Sequence, residues 1–204
     1  MIVLASQSPR RRELLARAGI PCVVRPAGIE EKPLAGENPA AYVERLARAK
    51  AEAAEAGEEE FVLAADTTVV AGGEILEKPH APEEAERMLR LLHGRDHSVL
   101  TGVCLRHRGR LWAAVEETRV WFIPLREDEI RAYARSGEPL DKAGGYAIQG
   151  LASRFAERIE GCYFNVVGLP VSRVYRMLRA AGYSEPMLTV EQGVDRYVDW
   201  LMSR

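Results

Sequence analysis

Met1–Leu15, MIVLASQSPRRRELL, runs a strand, a polar loop and a helix start together in one short stretch. Ile2, Val3 and Leu4 are apolar and β-favouring. Ser6, Gln7 and Ser8 supply side-chain oxygens, and Pro9 suits the first position of a helix. Arg10, Arg11 and Arg12 then fall in the first turn, where the helix already carries partial positive charge. Backbone N–H groups, two serines and an arginine cluster suit a phosphate at that point. A solvated, Arg-rich turn accounts for the same residues, since the stretch is neither a glycine-rich phosphate loop nor Walker-spaced.

The rest of the chain narrows the ligand. With 204 residues there is material for one good-sized core, with two lobes at most. The apolar fraction of 47% and charged fraction of 28% argue against disorder. A net charge of −2 gives no basic field of the kind a nucleic-acid binder needs, so a local basic patch points to a small anion. No apolar run approaches membrane-spanning length, and the N-terminal order is the reverse of a secretory signal, so a cytoplasmic protein with neither membrane nor nucleic-acid partner is expected. Cys22, Cys104 and Cys162 are scattered without metal or redox spacing, and His80, His93, His97 and His107 show no zinc-type pairing. Any metal would be held mainly by oxygen, which favours Mg²⁺ or Mn²⁺.

Several side chains sit oddly in the pattern. Pro39 opens an alanine-rich helix to about Ala56, with Lys50 on the stripe of Val43, Leu46 and Ala54, where it either snorkels to the edge or reaches an anion in a pocket. Phe61–Ala71, FVLAADTTVVA, is an almost unbroken strand interrupted by Asp66 and Thr67. A carboxylate there is costly unless paired, protonated or metal-bound, and strand ends are where α/β proteins place ligands. A strand-end aspartate capping a turn is the plainer alternative. Glu30 and Glu31 lie in a loop, either solvated or supporting a metal. Gly72-Gly73 predicts a hairpin into Glu74–Leu76, and Lys78 is presented from a loop stiffened by Pro79. A helix from Pro82 to Gly94, paired strands over 98–106 and 111–123 joined at Arg108-Gly109, and a helix over 127–135 follow. Trp112, Trp121 and Phe122 are read as core or interface. Ser136–Gly150, SGEPLDKAGGYAIQG, is too glycine-rich for regular structure. It carries Asp141, Lys142 and Gln149, whose amide suits the edge of a uracil or thymine. A last pattern, the Thr189–Gln192 capping box and the stripe Val190, Val194, Val198, Leu201, predicts a docking helix.

Cations at Arg10–Arg12, Lys50, Lys78 and Lys142, carboxylates at Glu30, Glu31, Asp66 and Asp141, and no Ser-His-Asp or Cys-His arrangement describe a metal-dependent enzyme acting on a phosphorylated small molecule.

Five ordered stretches make the chain resemble the Maf family of nucleotide pyrophosphatases, also called septum-formation inhibitor proteins. They are LASQSPRRRELL (Leu4–Leu15), AADTTVV (Ala64–Val70), EKP (Glu77–Pro79), SGEPLDKAGGYAIQG (Ser136–Gly150) and VVGLP (Val166–Pro170). The resemblance implies a Maf/ITPase-like α/β fold: a curved mixed β-sheet flanked by helices, with two lobes and a central cleft. It implies a pyrophosphatase domain at 1–183 and is compatible with a homodimer; the docking helix within 184–204 lies outside the resemblance and rests on its own pattern. The implied reaction is metal-dependent hydrolysis of nucleoside triphosphates to the monophosphate and pyrophosphate. The DKAG…IQG form resembles the branch acting on dTTP, UTP and related pyrimidines, although Gly145 and Ala147 depart from its commonest form. By the same resemblance Asp66 matches the general base and Glu31 a site-lining position; in the mechanism that follows, Asp66 with Glu31 is expected to hold Mg²⁺ or Mn²⁺ or to orient water. Arg10, Thr67 and Gln149 match positions tied to substrate choice, and Ser6, Arg11, Lys50 and Lys78 match site-lining positions. Lys142 joins them as a further cation. The alternative is a non-enzymatic, nucleotide-binding regulator of septum formation.

Overall fold

In the computed structural model, β1 (Ile2–Leu4), α1 (Pro9–Arg17), β2 (Cys22–Val24), α2 (Pro39–Ala53), β3 (Phe61–Ala71), β4 (Glu74–Leu76), α3 (Pro82–Leu92), β5 (Asp96–His107), β6 (Arg110–Phe122), α4 (Glu127–Ala134), β7 (Ala156–Glu160), α5 (Tyr163–Val167) and α6 (Val171–Ala180) follow in order. The structure describes residues 1–184 and, beyond them, Glu191, Val194, Asp195, Val198, Asp199 and Met202. The expected Thr189–Gln192 capping box and most of the 184–204 docking helix lie outside the described residues. No helix among the described residues is long and apolar enough to cross a membrane.

The strands form one open mixed sheet in the order β2-β1-β3-β5-β6-β7, with β4 on β3. β1 lies parallel to β2 and β3, while along β3, β5, β6 and β7 each strand is antiparallel to the next. The turns explain the hairpins. Gly72 and Gly73 have φ of 58° and 82°, and Arg108 and Gly109 have φ of 47° and 71°, as a two-residue hairpin turn with left-handed central positions requires.

β3, β5 and β6 are long enough to serve two cores. At one end of the strands, Leu4, Leu15, Leu63, Val103, Val174 and Leu178 pack α1 and α6 onto one face of the sheet. Ala47, Ala51, Ala64 and Cys104 seat α2 on the other. At the far end, Val69, Leu76, Met88, Leu89, Phe122, Tyr133 and Phe155 bind α3 and α4 into a second core. The two lobes meet at the middle of β3. There its edge is bare: β1 pairs with residues 61–63 and β4 with 69–71, and no strand among the described residues covers the stretch between.

The close seating of α2 depends on Gly102, which faces Asp66 across the β3–β5 ladder. A Cβ at Gly102 would lie 2.2 Å from the Val43 carbonyl oxygen of α2.

Three features depart from the sequence reading. β7 and α5 were not expected; β7 is a short edge strand with mostly exposed side chains, and α5 is too brief to show a helical period. α2 stops at Ala53, because Ala54 turns to extended backbone. Trp121 is half-buried and carries the Arg119 and Arg158 guanidinia over its ring, 4.9 and 4.5 Å from the centroid, so it is a stacking platform and not core.

Candidate active site

The three arginines of α1 point to different fates. Arg11 turns inward and is buried. Its Nε donates to Gly168 O (2.8 Å), Nη1 to Ser6 Oγ (3.0 Å) and Ala65 O (2.8 Å), and Nη2 to Thr67 Oγ1 (3.0 Å). Ala65 O belongs to the bare edge of β3, so the guanidinium stands in for the missing strand. Burial lowers the Arg11 pKa, with the Asp66 and Glu31 charges opposing that shift. Arg10 instead reaches across the cleft, donating from Nη1 to Asp141 Oδ2 (2.9 Å) and from Nη2 to Asp141 O (3.2 Å). Arg12 does not line the cleft. Ser8, at the cap position, makes no side-chain cap bond; its own N–H donates to Ser6 Oγ (3.2 Å).

On the opposite face of the sheet, α2 delivers Lys50. Tyr42, Leu46 and Lys50 recur every fourth residue and therefore share one helical face. Lys50 is 6% exposed and does not snorkel outward. Its Nζ lies 2.7 Å from Asp66 Oδ1 and 2.8 Å from Glu31 Oε1. The ammonium thus joins a strand carboxylate and a loop carboxylate. Burial pulls the Glu31 pKa upward, but Lys50, Lys78 and Arg11 outweigh it and hold that carboxyl below its usual range. Glu30 lies outside the cleft, in an exposed pair with Lys32.

Thr67, alternating to the face away from Lys50, begins a buried polar chain. Its Oγ1 meets Thr101 Oγ1 (2.9 Å), and Thr101 Oγ1 donates to Asn165 O (3.3 Å). Asn165 Nδ2 donates in turn to Val99 O (2.9 Å) and Thr118 Oγ1 (3.0 Å). The glycine-rich segment closes the third side as short 3-10 turns over Glu138–Asp141, Ala143–Gly145 and Leu151–Arg154. Gly144 N donates to Glu77 O (3.1 Å), Ala147 N donates to Tyr133 OH (3.1 Å), and Tyr146 OH meets His97 Nε2 (2.8 Å). Lys142 Nζ donates to Glu138 O (2.7 Å) and pairs with Asp141.

Ser6, Arg10, Arg11, Glu31, Lys50, Asp66, Thr67, Lys78, Lys142 and Gln149 all line one cleft of about 600 Å³. Tyr42, Glu77, Thr68 and Tyr146 line it too and were missed in the sequence. Tyr42 donates to Glu77 Oε1 (2.5 Å), and burial together with Glu77 raises its pKa, so it stays a donor. Its place one and two turns before Leu46 and Lys50 was the available signal.

A cleft built on the LASQSPRRR, AADTT and DKAG…IQG segments is the arrangement a family comparison can decide, and the family model described as "Maf-like protein" matches residues 1–181. This chain belongs to the Maf family. Maf relatives named "dTTP/UTP pyrophosphatase" include one from Koribacter versatilis, 50% identical over 89% of this chain and 94% of its own length. Another, from Anaeromyxobacter dehalogenans, is 51% identical over 91% and 96%, and one from Vibrio cholerae is 51% identical over 87% and 96%. In fold, this Maf chain is similar to the Staphylococcus aureus Ham1 protein, with a TM-score of 0.53 at 15% identity, covering 88% of this chain and 98% of that one. That likeness agrees with the expected α/β, ITPase-like architecture.

Proposed function

We propose that this Maf protein hydrolyses nucleoside triphosphates, with dTTP, UTP and related or modified pyrimidine nucleotides as substrates, to the nucleoside monophosphate and pyrophosphate. One observation carries the reading: Asp66, buried at the middle of β3, is held 2.7 Å from Lys50 in a cleft that also gathers Arg10, Arg11, Lys78 and Lys142. The name shared by relatives at about half identity, dTTP/UTP pyrophosphatase, supports the substrate class.

Arg10, Lys78 and Lys142 bind the triphosphate, with Lys50 beside them. Arg11 leaves one N–H beyond its four protein bonds and holds the floor of the cleft in shape. Gln149 and Thr67 meet the base. Asp66 takes a proton from water as the water oxygen attacks the α-phosphorus. The bond from that phosphorus to the bridging oxygen breaks, and pyrophosphate leaves with the electron pair, its charge matched by the cations.

The donor set fits Mg²⁺ or Mn²⁺. Both prefer oxygen, and Mg²⁺ commonly takes one or two carboxylates and completes its shell from water and phosphate. Glu31 and Asp66 supply such a pair, brought together by Lys50. Among the described residues no three His, Cys, Asp or Glu side chains converge, so a metal held by protein alone is not expected. A bound cation would neutralise phosphate charge. On this reading residues 1–183 are the catalytic domain, and 184–204 is appended to it.

The test is pyrophosphate release across the nucleoside triphosphates with Mg²⁺ or Mn²⁺. Preferred turnover of dTTP and UTP is expected. Silence on every substrate would favour a nucleotide-binding regulator.

A further inference from the structure

The loop that delivers Glu31 runs from Pro26 to Glu37, between β2 and α2, and Glu37 N to Leu34 O is its one backbone–backbone hydrogen bond among the described residues. Before Glu31, Ala27 and Ile29 rest on the apolar clusters that α2 shares with the sheet. After it, the hold is polar and comes from one side chain. Arg45 of α2 donates from Nη2 to Lys32 O (2.9 Å), the carbonyl just past Glu31. Its Nε and Nη2 also donate to Glu37 Oε1 (2.6 Å) and Oε2 (2.7 Å), and Glu37 Oε2 accepts the Leu34 N–H (2.9 Å). A single planar fork thus fixes Lys32 and Glu37 directly and Leu34 through Glu37. The guanidinium lies over the Tyr42 ring, 5.6 Å from its centroid, but Arg45 itself does not line the cleft. An ion pair whose arginine is 36% exposed adds little stability. Its consequence is positional. Further along the same helix, Lys50 Nζ meets Glu31 Oε1 at 2.8 Å. α2 therefore supplies both the partner of the Glu31 carboxylate and the clamp on the chain that carries it.

We propose that Arg45 is a positioning residue for Glu31, setting the place of that carboxylate beside Lys50 and Asp66 through the loop backbone. The inference rests on the pyrophosphatase reading of the site, in which Glu31 acts with Asp66. Without the clamp, the loop is held only by its apolar residues and opens locally while the rest of the protein stays folded. Glu31 then leaves Lys50 for part of the time and turnover falls, while the cations that bind the triphosphate stay in place. A lysine at position 45 keeps the charge but not the fork. From one ammonium it cannot span Lys32 O and both Glu37 oxygens.

Arg45→Gln, Arg45→Lys, Glu31→Gln and the double variant of Arg45→Gln with Glu31→Gln are to be compared for kcat and KM with dTTP or UTP, for melting temperature, and for hydrogen exchange over residues 32–37 in the absence of nucleotide. Arg45→Gln is expected to lose about tenfold in kcat with KM within about threefold. It should melt within about 4 °C of the wild type and exchange about tenfold faster over 32–37, with β3 unchanged. Arg45→Lys, which spares the charge of α2, should follow it in kcat and exchange. In Glu31→Gln the Arg45→Gln change costs less than about twofold, because the clamp acts through that carboxylate. Wild-type kcat in either Arg45 variant overturns the proposal, and so does unchanged exchange over 32–37. An equal loss in both backgrounds, the result of a clamp that only stabilises, overturns it as well. Lost turnover in Glu31→Gln with full turnover in Arg45→Gln sinks this inference alone. Full turnover in Glu31→Gln sinks the reading of the site beneath it.

Discussion

Gly102 stands directly across the ladder from Asp66, and the side chain it lacks leaves the room in which α2 brings Lys50 onto that carboxylate. The glycine acts by absence. Its own φ is unremarkable; what matters is that backbone, not a flexible side chain, occupies the space a Cβ would need.

Gly102→Ala therefore forces α2 away from β5. A loss of about 1–3 kcal/mol is expected, toward the upper end because the obstacle is a carbonyl. Turnover should fall with stability, since Lys50 rides on the displaced helix. Urea unfolding beside a pyrophosphate assay checks both.

Lys50→Met removes the charge shared by Glu31 and Asp66 and leaves two carboxylates close together, one of them buried. Roughly 3 kcal/mol of stability should be lost, together with most of the turnover. Chemical denaturation of the two proteins, compared at one pH, is the measurement.

The Arg10–Asp141 pair predicts a division between binding and stability. The pair is partly exposed, at 24% and 64% for the side chains, so its loss should change stability by less than about 1 kcal/mol. Asp141 nevertheless occupies two cations assigned to phosphate, Arg10 and Lys142. Asp141→Asn should lower KM for the triphosphate several-fold, while Arg10→Ala should raise it by about 10- to 100-fold. Steady-state kinetics on both variants decides it.

His97 sets an acid limit. It is 3% exposed, and burial lowers its pKa to about 4. The unfolded chain takes up this proton near pH 6.5 and the folded chain only near pH 4, so stability is full above 6.5 and declines as pH falls toward 4. The decline is worth roughly 3 kcal/mol at most. Carboxylates held low by arginines, Glu37 at about 2 among them, lose their share at more acid pH. Denaturation midpoints between pH 7 and 4.5 should therefore slope downward in the wild type and flatten in His97→Gln.

Much of this molecule was legible because the informative signals were local. Phe61–Ala71 is one strand with the bounds its β-type run suggests, and Gly72-Gly73 and Arg108-Gly109 turn where two residues of positive φ are needed. Arg10, Lys50 and Asp66 stood out because each is a charge that its own element does not explain. What stayed hidden is tertiary. Nothing around Thr101 or Asn165 announces that the two extend a chain of hydrogen bonds from Thr67, and Arg11 bracing a bare strand edge depends on where β1 stops and β4 begins. β7 was invisible for another reason: charged residues fill an edge strand that buries little.

The account turns on Asp66, and one assay meets it most directly: pyrophosphate release from dTTP and UTP by wild type and Asp66→Asn, at saturating Mg²⁺ or Mn²⁺, with melting temperatures measured alongside. The account predicts that Asn, which keeps the shape but cannot take the proton, lowers kcat by about 10²–10⁴-fold while the protein stays folded. Turnover close to wild type in a folded Asp66→Asn would contradict it.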